Sequence, residues 1–153
     1  MHTIDTFHVY IRNTTLAIYF TWVTRILLAL GFLPSGMIKL LGERFTQLPI
    51  DNPVGFFFEG LYLSGWYWNF LGFSQLLAAL LIVIPRTAFL GALLYFPIIL
   101  NIFLMVTSMH FTGTPIVTGL MVLANLYLFF WDIDKLKAIT HIIFAKQTKP
   151  LSI

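Results

Sequence analysis

Arg25 and Lys39 stand fourteen positions apart in an otherwise apolar stretch, RILLALGFLPSGMIKLLGERF, residues 25–45. On a helix of 3.6 residues per turn that spacing returns nearly to the same face, about 21 Å along the axis. Ala29, Phe32 and Gly36 fall near the stripe between the two cations. Turned towards acyl chains, Arg25 would cost at least ~2.5 kcal/mol, so the stripe is expected to face inward with an internal partner for the guanidinium. For Lys39 the competing reading is snorkelling to the headgroups. Pro34 removes a backbone hydrogen bond and permits a kink that Ser35 or a neighbouring helix can accommodate.

Three amides join this set. Gln75, Asn101 and Asn125 fall near the middle of three further apolar segments. With Arg25 they form a candidate ligand-binding set, a polar pocket able to hold the head of a small or lipid-like molecule. The bland alternative is that the amides glue helices together, each worth about 0.6 kcal/mol. Lys39, Glu59, Trp66 and His110 lie towards the other end of the segments and form a candidate entrance. There Glu59, a carboxylate in a strongly apolar stretch, is expected to neutralise Lys39 or Arg25. A solvated Glu59 and an interfacial His110 are the alternatives. Asp132 is expected in an interfacial salt bridge, within reach of Arg86 or Arg25.

Other chemistries are weakened by what the sequence lacks. It has no cysteine, so no disulfide, thiolate metal site or dithiol exchange resides here. His2, His8, His110 and His141 all fall outside the apolar segments, which disfavours bis-histidine haem ligation. No Ser-His-Asp set, phosphate-binding glycine loop or metal-ligand spacing is visible. No catalytic residue, metal or intrinsic cofactor is assigned, and whether the chain is an enzyme stays open.

These side chains need elements to position them. The chain is 59% hydrophobic and 10% charged, whereas soluble domains carry about a quarter charged residues. Charge this sparse cannot cover a water-facing surface, and the class is all-α integral membrane. Four segments approach the ~20 apolar residues that a span requires, at about 15–41, 66–84, 88–108 and 115–131. Residues Met1 to Asn13 read as too polar for a signal peptide, so the first segment is expected to be retained. Short breaks at IPRTA and HFTGTP predict antiparallel neighbours in an up-down four-helix transmembrane bundle, a single domain over 1–153. Thr114 is expected to cap a helix opening at Pro115.

The long connection Gly42–Gly65 contains DNPVGFFFEGLYL. Asn52 before Pro53 reads as a helix start, giving a short outer interfacial helix. DIDKLKAITHIIFAK places Ile133, Leu136, Ile139 and Ile143 on one face, predicting an amphipathic C-terminal segment. Arg12, Arg86, Lys135, Lys137, Lys146 and Lys149 fall on one side, against Arg44 and Lys39 on the other. The positive-inside rule then puts the N- and C-termini in the cytoplasm of a multi-pass protein. The net charge of +3 reads as topology; no basic run with interleaved aromatics points to nucleic acid.

RILLALGFLPSGMIKLLG, GWYWNFLGFSQLLAALLIVIPRTAFLGALLYFPIILNIF and HFTGTPIVTGLMVLANLYLFFWD together resemble the DoxX family of small four-helix bacterial membrane proteins. The resemblance covers roughly Arg25 to Asp132. Its most specific element is Arg, a Ser-Gly pair and Lys on the first helix; the IPRTA turn and the Asn of PIILNIF add to it. Relatives often carry Glu where this chain has Gln75, so an acid role is not transferred there. The resemblance implies a bacterial inner (cytoplasmic) membrane location. It also implies association with quinone-linked oxidoreductases or thiol-homeostasis assemblies; more distant relatives act as membrane assembly factors.

The leading expectation is an accessory subunit that binds a quinone or another lipid-like small molecule within the bundle. A redox partner protein or a second copy of the chain is the expected partner, alongside the lipid bilayer. The rival is a membrane chaperone or scaffold whose buried polar residues are structural. An autonomous enzyme working with Arg, Lys and Glu alone is the third.

Overall fold

A computed structural model describes residues 14–144. Arg12, Lys146, Lys149, His2 and His8 lie outside the described residues. Within them the chain is all-α: α1 Thr15–Leu40, α2 Pro53–Leu63, α3 Trp66–Val83, α4 Ala88–Ser108, α5 Thr114–Trp131 and α6 Ile133–Phe144. Helices α1, α3, α4 and α5 are long and apolar enough to cross a membrane. Their outward positions stay greasy, with Leu27, Phe70, Leu80, Leu104 and Leu123 all exposed. A belt of this kind suits hydrocarbon and would be an aggregation hazard in water.

The ends of these helices follow local chemistry. α1 runs unbroken through Pro34 and stops at Gly42, whose φ is +71°. There the Gly42 N–H donates to the Lys39 carbonyl and the Glu43 N–H to the Ile38 carbonyl, both at 3.0 Å. This paired closure needs a left-handed residue, for which glycine is the cheapest choice. α4 ends the same way with a side chain in that role: His110 has φ +54°. Its N–H donates to the Thr107 carbonyl at 3.2 Å and the Phe111 N–H to the Val106 carbonyl at 3.0 Å.

α2 opens as its sequence predicts. The Asn52 side chain accepts from the Val54 N–H at 2.9 Å, with Pro53 in the first turn. α5 starts one residue earlier than expected. Thr114 is its first helical residue and Gly113, at φ +78°, its cap. Thr114 therefore spends its carbonyl on the Thr118 hydroxyl at 3.0 Å. The C-terminal segment is a separate helix, broken from α5 at Asp132 and without a buried residue.

α1 packs most extensively on α3, α3 on α4, α4 on α5, and α5 returns to α1. The core gathers Leu28, Phe32, Ala78, Ile82, Tyr95 and Ile99. Tyr95 ties two helices: its hydroxyl donates to the Leu28 carbonyl at 2.9 Å, and its ring stacks on Phe32 with centroids 3.7 Å apart. Small residues let backbones meet, as expected where packing is driven by close approach. A methyl group placed on Gly72 would lie 2.4 Å from the Leu40 nitrogen and 2.7 Å from the Gly36 carbonyl oxygen. One on Gly91 would lie 2.4 Å from the Ile82 nitrogen, so α3 and α4 touch beside their short turn.

Candidate functional site

α3 and α4 meet backbone to backbone near their turn. Towards the far end of both helices lies a cavity of about 480 Å³. Its walls draw on α1 (Ser35, Lys39), α3 (Tyr67, Leu71) and α4 (Ile98, Asn101). Phe57, Phe58 and Leu61 of α2, with Phe45 and Phe111, cover it. Most of the lining is apolar. Tyr67, Pro97 and Asn101, all lining residues, are exposed, so the cavity reaches the molecular surface between α3 and α4. Volume and lining fall within the range of small-molecule sites, with a few polar groups in a greasy chamber.

Lys39 is the charged group of this chamber and is only 4% exposed. Its ammonium donates to both the carbonyl and the hydroxyl of Ser35, one turn back on α1. It sits 4.6 Å from the centroid of the Phe45 ring and 5.2 Å from that of Trp68. Trp68 is fixed in turn by its indole N–H, which donates to the Glu43 carbonyl at 2.9 Å. Phe58 packs on Phe45 at 4.8 Å, on Trp68 at 6.5 Å and on Phe111 at 6.3 Å. The lysine thus lies inside an aromatic cage that α2 closes.

The expected pairing of Glu59 with Lys39 or Arg25 is not what forms. Glu59 accepts from Nε and from a terminal nitrogen of Arg44, each at 2.8 Å. The two side chains lie on the outer surface of α2 and its preceding loop, where planar guanidinium and carboxylate fit as a fork. That hydrogen bonding and the adjacent guanidinium charge hold the Glu59 carboxyl below its usual range, and Arg44 is correspondingly raised. Arg44 also stacks over Tyr62, 4.6 Å from the ring centroid. α2 is therefore clamped to the loop that follows α1.

Asn101 lines the cavity; Arg25, Gln75 and Asn125 do not. All three are nonetheless buried, at 7%, 0% and 0% exposure. The Arg25 guanidinium lies 5.8 Å from the Trp22 ring centroid. Asn125 donates to the Ala92 carbonyl at 3.1 Å, a bond between α5 and α4. Both Gln75 amide atoms lack a hydrogen-bond partner among the described residues. Of the expected entrance, Lys39 belongs to the chamber itself. Trp66 is 77% exposed, and neither it nor His110 lines the cavity. Asp132 pairs with Lys135, a turn onward, at 3.0 Å.

The sequence does not mark Phe45, Phe58 and Trp68 as a cage around Lys39. A signal for Phe58 exists: once α2 starts at Asn52, Gly55 and Phe58 share its buried face, and Phe56 points away. Nothing local marks Phe45, which the loop returns to the mouth of the bundle. Among the described residues, no group of three His, Cys, Asp or Glu is arranged to hold a metal.

Comparison with known protein families gives no match, and comparison with solved structures gives none. The chain is similar to a Bacillus subtilis (strain 168) protein described as "Uncharacterized protein YwoB". The two are 38% identical over 86 residues, covering 52% of this chain and 56% of that protein. The chain thus matches a little over half the length of that relative.

Proposed function

We propose that the chain is a multi-pass protein of a bacterial cytoplasmic membrane that holds a quinone or another lipid-soluble small molecule in the cavity beneath α2. In this reading α1, α3, α4 and α5 form an antiparallel transmembrane bundle. Both termini face the cytoplasm and α2 lies at the outer interface. Arg86, Lys135 and Lys137 at one end, against Arg44 at the other, support that orientation. The resemblance to DoxX proteins supports an accessory role beside a redox partner, which would supply the electron chemistry.

The observation that carries the proposal is the meeting of a buried cation and an amide in one apolar chamber open between two helices. Lys39 and Asn101 can donate to carbonyl or acidic oxygens of a head group, while Leu71, Ile98, Ile102 and Met105 receive an apolar body. Solvent extraction of the purified full chain tests it. A lipid-soluble compound should be recovered from wild type and lost from Asn101→Leu with helix content unchanged. A quinone is identified by the change in its ultraviolet absorption on borohydride reduction. Extracts that match detergent blanks would count against the reading.

A scaffold role is the second reading, favoured by a specific pattern. Asn125 binds the Ala92 carbonyl, Thr21 meets the Tyr127 hydroxyl at 2.8 Å, and Asn69 donates to the Leu40 carbonyl at 2.9 Å. Each bond joins two helices and serves structure without a ligand. Stoichiometric co-purification of a second membrane protein, with an empty cavity, would favour this reading.

A further inference from the structure

Resting on the proposed small-molecule site, we propose that its ligand is an anionic amphiphile, a long-chain carboxylic acid whose head pairs with Lys39 and whose tail fills the apolar chamber. Lys39 is buried, and its ammonium meets Ser35 and two aromatic rings. Among the described residues it makes no ion pair. The acid expected there, Glu59, is held by a two-pronged bond to Arg44. Glu43 is exposed, and the Glu43 contact to the cage is its backbone carbonyl, already given to Trp68.

Ring faces and two hydroxyl or carbonyl oxygens stabilise an ammonium, but they do not neutralise it. A cation–π contact offsets only part of what it costs to take an ammonium out of water. The chamber therefore retains a positive charge whose cheapest complement is a monoanion entering with it. Two of the three ammonium hydrogens go to Ser35, and the rest of the group faces the cage and the cavity. Asn101, from α4 across the chamber, can supply a second donor to the same carboxylate. A neutral quinone carbonyl would leave the charge uncompensated; a zwitterionic phospholipid head would bring a second cation beside Lys39. The surface opening at Tyr67, Pro97 and Asn101 lies on the flank of the helices, a route by which an acid dissolved in the bilayer enters sideways.

The test uses the full chain in non-ionic detergent, with tryptophan emission quenched by a dibrominated stearic acid. Trp68 beside Lys39 is the reporter, and Trp68→Phe identifies its share of the signal. Palmitic acid should displace the brominated acid at a concentration at least ~10-fold lower than methyl palmitate, the size expected for one charge-assisted hydrogen bond. Lys39→Arg should keep that preference and Lys39→Met should abolish it, with helix content monitored in both. Equal displacement by acid and ester in wild type overturns the anionic head while leaving a neutral-ligand site standing. So does an acid preference that survives in Lys39→Met. Absence of Trp68 quenching by the brominated acid, with decylubiquinone quenching instead, overturns the acid and keeps the quinone. Absence of both overturns the binding site itself.

Discussion

Arg44 grips Glu59 across fifteen positions of chain, with two nitrogens each 2.8 Å from a separate carboxylate oxygen. This pair fastens α2 to the loop that follows α1. The carboxylate of α2 is engaged there and not with Lys39.

Acid should loosen the lid. The bond to Arg44 depresses the Glu59 carboxyl, so its folded value lies below the unfolded one. The stabilisation is fully present above the ordinary glutamate value of about 4.3 and is lost as pH falls through the depressed folded value. The pair is partly exposed, so the effect is modest and salt-sensitive. Thermal midpoints in detergent should fall for wild type across this acidic window, and the profile of Glu59→Gln should be flatter there. Coincident profiles for the two proteins would mean the clamp contributes nothing.

Gly72 sets the distance between α1 and α3. Gly72→Ala places a methyl group against the Leu40 nitrogen and the Gly36 carbonyl, backbone atoms that cannot rotate away. It should cost about 1–3 kcal/mol. Gly60 lies inside α2 with no atom near its would-be methyl. Gly60→Ala should stabilise α2 by about 0.5–1 kcal/mol. Opposite shifts in thermal midpoint for the two substitutions are the expected result.

His110 terminates α4 in a left-handed conformation that an L side chain adopts only with strain. Its exposed side chain lies outside the cavity wall. His110→Gly should therefore raise stability by about 1 kcal/mol and leave ligand binding unchanged. A loss of binding in this variant, read by the brominated-acid assay, would restore the histidine to the site.

The helices were legible because length and apolarity fix them: α4 falls at Ala88–Ser108, where the sequence predicts it. The inward stripe of α1 was legible too. Arg25, Ala29, Phe32, Gly36 and Lys39 all lie on its buried face, as a 3.6-residue period dictates. What the sequence hid was which buried groups share a space. Counting depth along four helices put Arg25, Gln75, Asn101 and Asn125 at comparable levels, but level says nothing of rotation about each axis. Asn101 faces the cavity and Asn125 faces the Ala92 carbonyl. Glu59 misled for a related reason. Its choice between Arg44 and Lys39 depends on how the loop between Leu40 and Pro53 returns α2 against the other helices, which no local pattern encodes.

Native mass spectrometry of the full chain released from gentle detergent tests the central claim most directly. Wild type should carry a small-molecule adduct. Leu71→Trp, which fills the chamber from α3, should lose it while keeping its thermal midpoint within a few degrees. A wild-type protein without an adduct, or an adduct of undiminished occupancy on folded Leu71→Trp, would contradict a binding site beneath α2.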